Sequence, residues 1–255
     1  MSDRGRRELE RRAAAGDPDA AAALLAERAR AGELGEEDLA LLAHCGHPGA
    51  ASLRPRDAGA SWSADPSEWA SALQQRFGAP TCARAALACA LACPVPPIPG
   101  LEDEEPARDH ALELVEAALQ GEWPPGLRGP LWTVQHNAGR RALDLAHYAR
   151  IPHRRWEGRR PSAELRRAFA RRALAAYAAA SALGAVAEPS WGVLSAGWAL
   201  GALRGGTSTA AAARRALEAR ASEEWRGQRD WLGVGLDVAR AALCAWALRG
   251  ASATV

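Results

Sequence analysis

Residues 173–203 read ALAAYAAASALGAVAEPSWGVLSAGWALGAL, and apart from Tyr177 their only acid or base is Glu188. Alanine and leucine favour helix. The Glu188-Pro189 step separates two helices, because proline disfavours helical backbone just before it and suits the first helical position after it. Neither arm reaches the roughly 20 apolar residues needed to cross a bilayer. The stretch is therefore expected to be a helical hairpin buried in a protein core, and a membrane is not expected as a partner. Gly197 and Gly201, four apart, would let a second helix approach closely.

The composition of the rest of the chain agrees. Alanine fills 63 positions and leucine 30, whereas isoleucine, valine and threonine together fill only 15. So few β-branched residues cannot build a sheet, and the expected fold class is all-α. All 32 basic residues are arginine. Without an ε-amine the chain cannot carry a Schiff-base lysine, a Walker-type phosphate lysine, the strand lysine of protein kinases or a Ser-x-x-Lys acylating pair. The net charge of +2 provides no overall field to draw in nucleic acid or an anionic membrane. Five cysteines, an odd number with three close together in one alanine-rich run, do not make the framework of a secreted domain. With no apolar run behind the charges of MSDRGRRELERR, no secretory signal is expected and a cytoplasmic location is.

Capping chemistry sets the expected helix boundaries. Asp65-Pro66-Ser67-Glu68 has a side-chain acceptor, a proline for the first helical position and a glutamate suited to a capping box. It predicts a helix over about 66–76, ending near Gly78, with further helices at about 3–15, 18–31, 36–45, 48–53, 80–93, 104–120, 130–150, 161–187, 189–204, 208–226 and 228–249. Gly16-Asp17-Pro18-Asp19-Ala20-Ala21 recurs as Gly46-His47-Pro48-Gly49-Ala50-Ala51. In each, a glycine able to end one helix is followed two residues on by a proline able to start the next, which suggests a short helical-hairpin repeat. The expected organisation is N-terminal hairpins over 1–54, a linker rich in Arg, Gly, Ser and Pro over 55–64, and a larger helical bundle over 65–255.

The segments GDPDAAAALLAERARAGEL (16–34), LALLAHCGHPGAASL (39–53), a tryptophan-containing helix, ARAALACALA (83–92) and ALELVEAAL (111–119) carry a resemblance that covers about residues 13–120. They resemble a group of Ala/Arg-rich helical proteins of high-GC bacteria, some labelled as immunity proteins of polymorphic-toxin systems. The matching motifs are helix-packing signatures with no catalytic residue among them. What the resemblance implies is a binding role.

The helix expected over 131–150 carries the most chemistry. At 100° per residue, Leu131, Val134, Ala138, Ala142, Leu145 and Ala149 share one face, while Thr133, His136, Arg140, Asp144 and His147 fall within about 80° on the other. His136 and Arg140, Arg140 and Asp144, and Asp144 and His147 are neighbours on that surface. The stripe suits acid–base or metal-assisted work, with Asp144 holding the His147 imidazole, and it equally suits the solvated side of an amphipathic helix. A metal would need a third ligand, whose position the sequence does not show, and no metal or other cofactor is expected.

Arginine crowds residues 150–172, where Arg150, Arg154, Arg155, Arg159, Arg160, Arg166, Arg167, Arg171 and Arg172 face only Glu157 and Glu164. Trp156 lies among them, and an aromatic between guanidinium groups can anchor a protein partner or stack on a base. Residues 102–122 are the reverse, with eight acids against Arg108 alone. The two segments either face each other within the fold or across a dimer, or address separate partners. Cys82, Cys89 and Cys93 share a helix face, but about 10 Å of helical rise separates the first two, so they read as small packing residues. His44-Cys45-Gly46-His47 reads as a turn. The ten tryptophans are expected to pack between helices, with Trp123, Trp156 and Trp225 as exceptions beside polar segments. The leading expectation is a non-enzymatic protein-interaction module, a regulatory or immunity-type partner of another bacterial protein, using Arg154, Arg155, Trp156, Arg159, Arg160, His136, Arg140, Asp144 and His147. Nucleic-acid binding through the arginine segment is the alternative, and a metal-assisted enzyme using His136, Asp144 and His147 is a further one.

Overall fold

A computed structural model describes residues 3–58, 65–98, 105–121, 128–148, 162–204 and 229–249. Among them are ten α-helices and no strand: α1 (Asp3–Ala14), α2 (Pro18–Arg30), α3 (Glu36–His44), α4 (Pro48–Leu53), α5 (Pro66–Ala92), α6 (Pro106–Leu119), α7 (Arg128–Tyr148), α8 (Ala163–Ala187), α9 (Pro189–Arg204) and α10 (Arg229–Arg249). The all-α class read from composition is the observed one, and the helix expected over 208–226 lies outside the described residues. None of the described helices is long and apolar enough to cross a membrane.

Local chemistry explains most boundaries. Asp17 Oδ1 accepts the amides of Asp19 and Ala20 at 3.0 and 3.1 Å, and His47 Nδ1 accepts the amide of Ala50 at 3.4 Å. Both caps follow a left-handed glycine, Gly16 at φ 88° and Gly46 at φ 81°, as the recurring Gly-x-Pro pattern requires. Asp65 accepts from the Ser67 amide at 2.9 Å, and Ser162 from the Leu165 amide at 3.1 Å. Helix α5 is interrupted where the sequence places a stop. Gly78 adopts φ 76° and ψ 176°, Pro80 restarts the helix, and the Thr81 hydroxyl donates to the Phe77 carbonyl across the break.

Two compact units emerge, one from residues 1–64 with 240–255 and the other from 65–239. In the first, α2 packs on α1 and α4, and α4 on α3. Gly49 lies so close to α2 that a Cβ there would stand 2.5 Å from the Ala21 carbonyl carbon. Asp57 is buried and pairs with Arg54, which also pairs with Glu36, so the stretch expected to begin a linker is held on the N-terminal helices. The division also differs from the expected 65–255 bundle at its end: α10 belongs to the second unit up to Ala239 and to the first from Arg240. Periodicity identifies the helix but not which neighbours its successive turns meet.

The second unit is built around α8, which packs against α5, α6, α7 and α9. From Phe169 to Ser181 only Arg171 is exposed, as expected of a helix apolar on all sides. Alanine makes this possible, since its methyl group lets neighbouring helices close in. The α8–α9 pair is the hairpin predicted from residues 173–203. A Cβ on Gly192 would sit 2.3 Å from the Ala185 Cα, and Tyr177 meets Trp198 edge-on with centroids 6.3 Å apart. Gly197 is the point where α10 comes nearest: a Cβ on Gly235 would stand 1.8 Å from the Gly197 carbonyl oxygen. At the same place the Cys89 thiol donates to the Gly235 carbonyl at 3.3 Å, so three small residues join α5, α9 and α10.

Candidate functional site

Helix α7 presents the polar stripe to solvent. Ala138, Ala142 and Leu145 are fully buried, whereas Thr133, His136, Arg140, Asp144 and His147 are all exposed. The last turn is fixed by Tyr148, whose ring lies 6.1 Å from that of Phe169 on α8, and this leaves His147 on the outer side. At its middle α7 touches α8 closely, since a Cβ on Gly184 would meet the Gln135 amide nitrogen at 2.6 Å.

One residue of this face was not anticipated. Leu143 is 52 % exposed, and at 100° per residue it lies within about 20° of His136 and 40° of His147. Counting polar residues around the helix passes over it, because an apolar residue is ordinarily assigned to the core. An exposed leucine rimmed by two histidines and an arginine is the arrangement of an interface anchor with a polar border. His136, Asp144 and His147 share the face without converging: the eight residues from 136 to 144 rise about 12 Å, beyond the reach of one ion. Among the described residues no three His, Cys, Asp or Glu side chains are grouped to hold a metal.

The arginine-rich segment divides between surface and interior. Arg150, Arg154, Arg155, Trp156, Arg159 and Arg160 lie outside the described residues. On α8, Arg166, Arg167 and Arg171 are exposed, but Arg172 is 3 % exposed and points into the unit. Its Nε donates to the Pro96 carbonyl at 2.7 Å, and its Nη1 donates to Glu105 Oε1 at 3.4 Å. Arg141 of α7 approaches the same oxygen at 4.0 Å. Two Arg-Arg steps, 140–141 and 171–172, thus each send one guanidinium outward and one towards Glu105, because successive helical side chains diverge by about 100°. Arg172 therefore leaves the expected surface patch. The acidic and basic segments do meet, in the Glu105–Arg172 pair.

Glu105, at the start of α6, is 7 % exposed. Burial pushes its carboxyl above the ordinary glutamate range, opposed by the nearby charges of Arg141, Arg172 and Arg108. Pinning α6, α7 and α8 to one carboxylate sets the rotation of α7 and with it the direction of the outer stripe. Cys82, Cys89 and Cys93 are buried, and loss of solvent holds each thiol up at about 12. They act as packing residues. Among the tryptophans, Trp69 and Trp198 are buried as expected, Trp191 in the first turn of α9 is 48 % exposed, and Trp123, Trp156 and Trp225 lie outside the described residues. Comparison with protein-family models, with curated proteins and with solved structures gives no match to this chain.

Proposed function

We propose that the chain is a protein-interaction module without catalytic activity of its own, a regulatory or immunity-type partner of another bacterial protein. The outer face of α7 is its contact surface. The observation that carries this reading is Leu143, 52 % exposed between His136, His147 and Arg140. A leucine left in water gains by docking into a partner's apolar pocket, and the polar rim supplies orientation. Exposed Arg166, Arg167 and Arg171 on α8, which packs against α7, favour a partner rich in carboxylates. The resemblance over residues 13–120 points to the same class of role. The test compares native-lysate co-purification by the wild type, by Leu143→Asp and by a variant neutralised at Arg154, Arg155, Arg159 and Arg160. Loss of an anchor of this kind costs about 2 kcal/mol, roughly 30-fold in affinity. A partner list unchanged by Leu143→Asp removes the α7 face as the interface.

The exposed arginines at the start of α8 favour a second reading, nucleic-acid binding through the arginine-rich segment of residues 150–172. That reading requires affinity to fall steeply with added salt and to weaken in Trp156→Ala. Absence of binding to single- and double-stranded oligonucleotides at low salt eliminates it.

A further inference from the structure

Glu105 ties three helices together, yet part of its bonding capacity is unused. Arg172 Nη1 stands 3.4 Å from Oε1 and Arg141 Nη2 4.0 Å from the same oxygen. The charge-assisted bonds of a closed ion pair are shorter, about 2.7–2.9 Å. Glu105 Oε2 is buried with no hydrogen-bond partner among the described residues. Arg108, three residues on in the first turn of α6, is in the same position. Its Nη1 reaches the exposed Asp109 carboxylate at 2.7 Å, but its buried Nε has no hydrogen-bond partner among those residues. A carboxylate oxygen and a guanidinium N–H left unpaired in the interior of one helical turn point to a ligand that serves both. The surroundings say which kind. Three permanent positive charges, on Arg108, Arg141 and Arg172, face the two carboxylates of Glu105 and Asp109. No side chain caps α6, so the amides of its first turn add the positive end of a helix dipole. The Pro96 carbonyl fixes the Arg172 guanidinium in place at 2.7 Å. Side-chain exposure rises from buried Arg172 to 13 % at Arg108 and 21 % at Arg141, so the way in passes the last two.

We propose that Glu105, Arg108, Arg141 and Arg172 form a binding site for inorganic phosphate, taken as a single hydrogen phosphate ion. The guanidinium groups and the first amides of α6 donate to its ionised oxygens, and the planar fork of arginine suits that geometry. Its P–OH donates to Glu105 Oε2, and this bond sets the choice among anions. One proton must lie between the Glu105 carboxylate and any bound oxyanion, since two bare oxygens repel. Hydrogen phosphate brings that proton at neutral pH. Sulfate and carboxylates have none, and a phosphate monoester loses its last with a pKa of about 6. The site lies on the inward side of α7, opposite to the stripe that carries Leu143, so it stands apart from the protein-interaction reading.

The experiment is isothermal titration calorimetry of the intact chain, slightly above neutral pH and at constant ionic strength. Sodium phosphate, sodium sulfate, sodium acetate and glycerol phosphate are the separate titrants. The expected result is one phosphate bound per chain, with the other three anions at least about tenfold weaker. Glu105→Gln should bring sulfate to within about threefold of phosphate, because a glutamine amide donates to an anion that carries no proton. Arg108→Gln removes a charge-assisted bond at the accessible edge and should weaken phosphate about tenfold or more. Arg7→Gln on α1 lowers the net charge equally and should leave phosphate binding unchanged. The proposal is overturned if wild type binds no phosphate at millimolar concentration, if sulfate binds wild type as tightly as phosphate, or if Arg7→Gln weakens binding as much as Arg108→Gln. The comparison of anions on wild type decides the matter even if a variant folds poorly.

Discussion

Gly235→Ala tests the packing of the second unit most directly. The added Cβ would stand 1.8 Å from the Gly197 oxygen and 2.3 and 2.4 Å from its carbonyl carbon and Cα. These are backbone atoms, so no side-chain rotation relieves the clash, and α9 and α10 must part by roughly 1.5 Å to restore ordinary contact. Parting them also weakens the Cys89 thiol bond to the Gly235 carbonyl. Overpacking of this kind costs about 1–3 kcal/mol, and a backbone-to-backbone clash belongs at the upper end, about 3 kcal/mol. At about 2–4 °C per kcal/mol for a unit of this size, Tm should fall by about 6–12 °C. Two controls share the chemistry without the clash. A Cβ on Gly233 meets nothing within 4 Å, and one on Gly197 comes no nearer than 3.6 Å to Gly235. Alanine at Gly233 should raise stability by about 0.5–1 kcal/mol, since it only restricts the unfolded chain, and alanine at Gly197 should be tolerated. Urea unfolding at 25 °C and thermal circular dichroism of the three variants read the effect. Equal destabilisation at 197 and 235, or a Gly235→Ala protein as stable as wild type, would refute the claimed one-sided approach.

Two further predictions concern pH. Because burial raises the Glu105 carboxyl above its ordinary value near 4.5, the folded state holds that proton longer than the unfolded state. Its contribution is fully present below about pH 4.5 and is lost as pH rises through the folded value. Glu105→Gln should therefore gain on wild type over that interval, whereas Arg172→Met, which removes a partner from a buried carboxylate, should cost about 3–5 kcal/mol at neutral pH; parallel urea midpoints for Glu105→Gln and wild type from pH 4 to 8 would contradict the assignment. His47 runs the other way. Burial holds its imidazole below the ordinary 6.5, so the unfolded chain takes the proton first and stability falls as pH drops below about 6.5. His47→Asn keeps a capping acceptor without the titration and should flatten that decline, and an unchanged acid limb in thermal melts would count against His47 as its source.

The helices were legible because their causes are local. Gly-Asp-Pro at 16–18, Gly-His-Pro at 46–48, Asp-Pro at 65–66 and Gly78 each combine a cap, a stop or a fixed φ within a few residues, and the structure begins or breaks helices at those places. The outer face of α7 was legible for the same reason, since 100° per residue separates Ala138, Ala142 and Leu145 from His136, Arg140, Asp144 and His147 whatever lies around the helix. Leu143 escaped because apolar character alone does not say that no neighbour covers it.

What the sequence determined by itself is the all-α class, the positions of helix ends, and which side of α7 is polar. All of these follow from backbone propensity, capping and periodicity acting over a few residues. Tertiary structure alone decided which arginine of each adjacent pair turns inward to Glu105 and which glycine carries the closest helix approach. It also allotted α10 to both compact units. Each of these is a relation between residues far apart in the chain. A residue type carries the capacity for such a contact, but only the packing of whole helices supplies its partner.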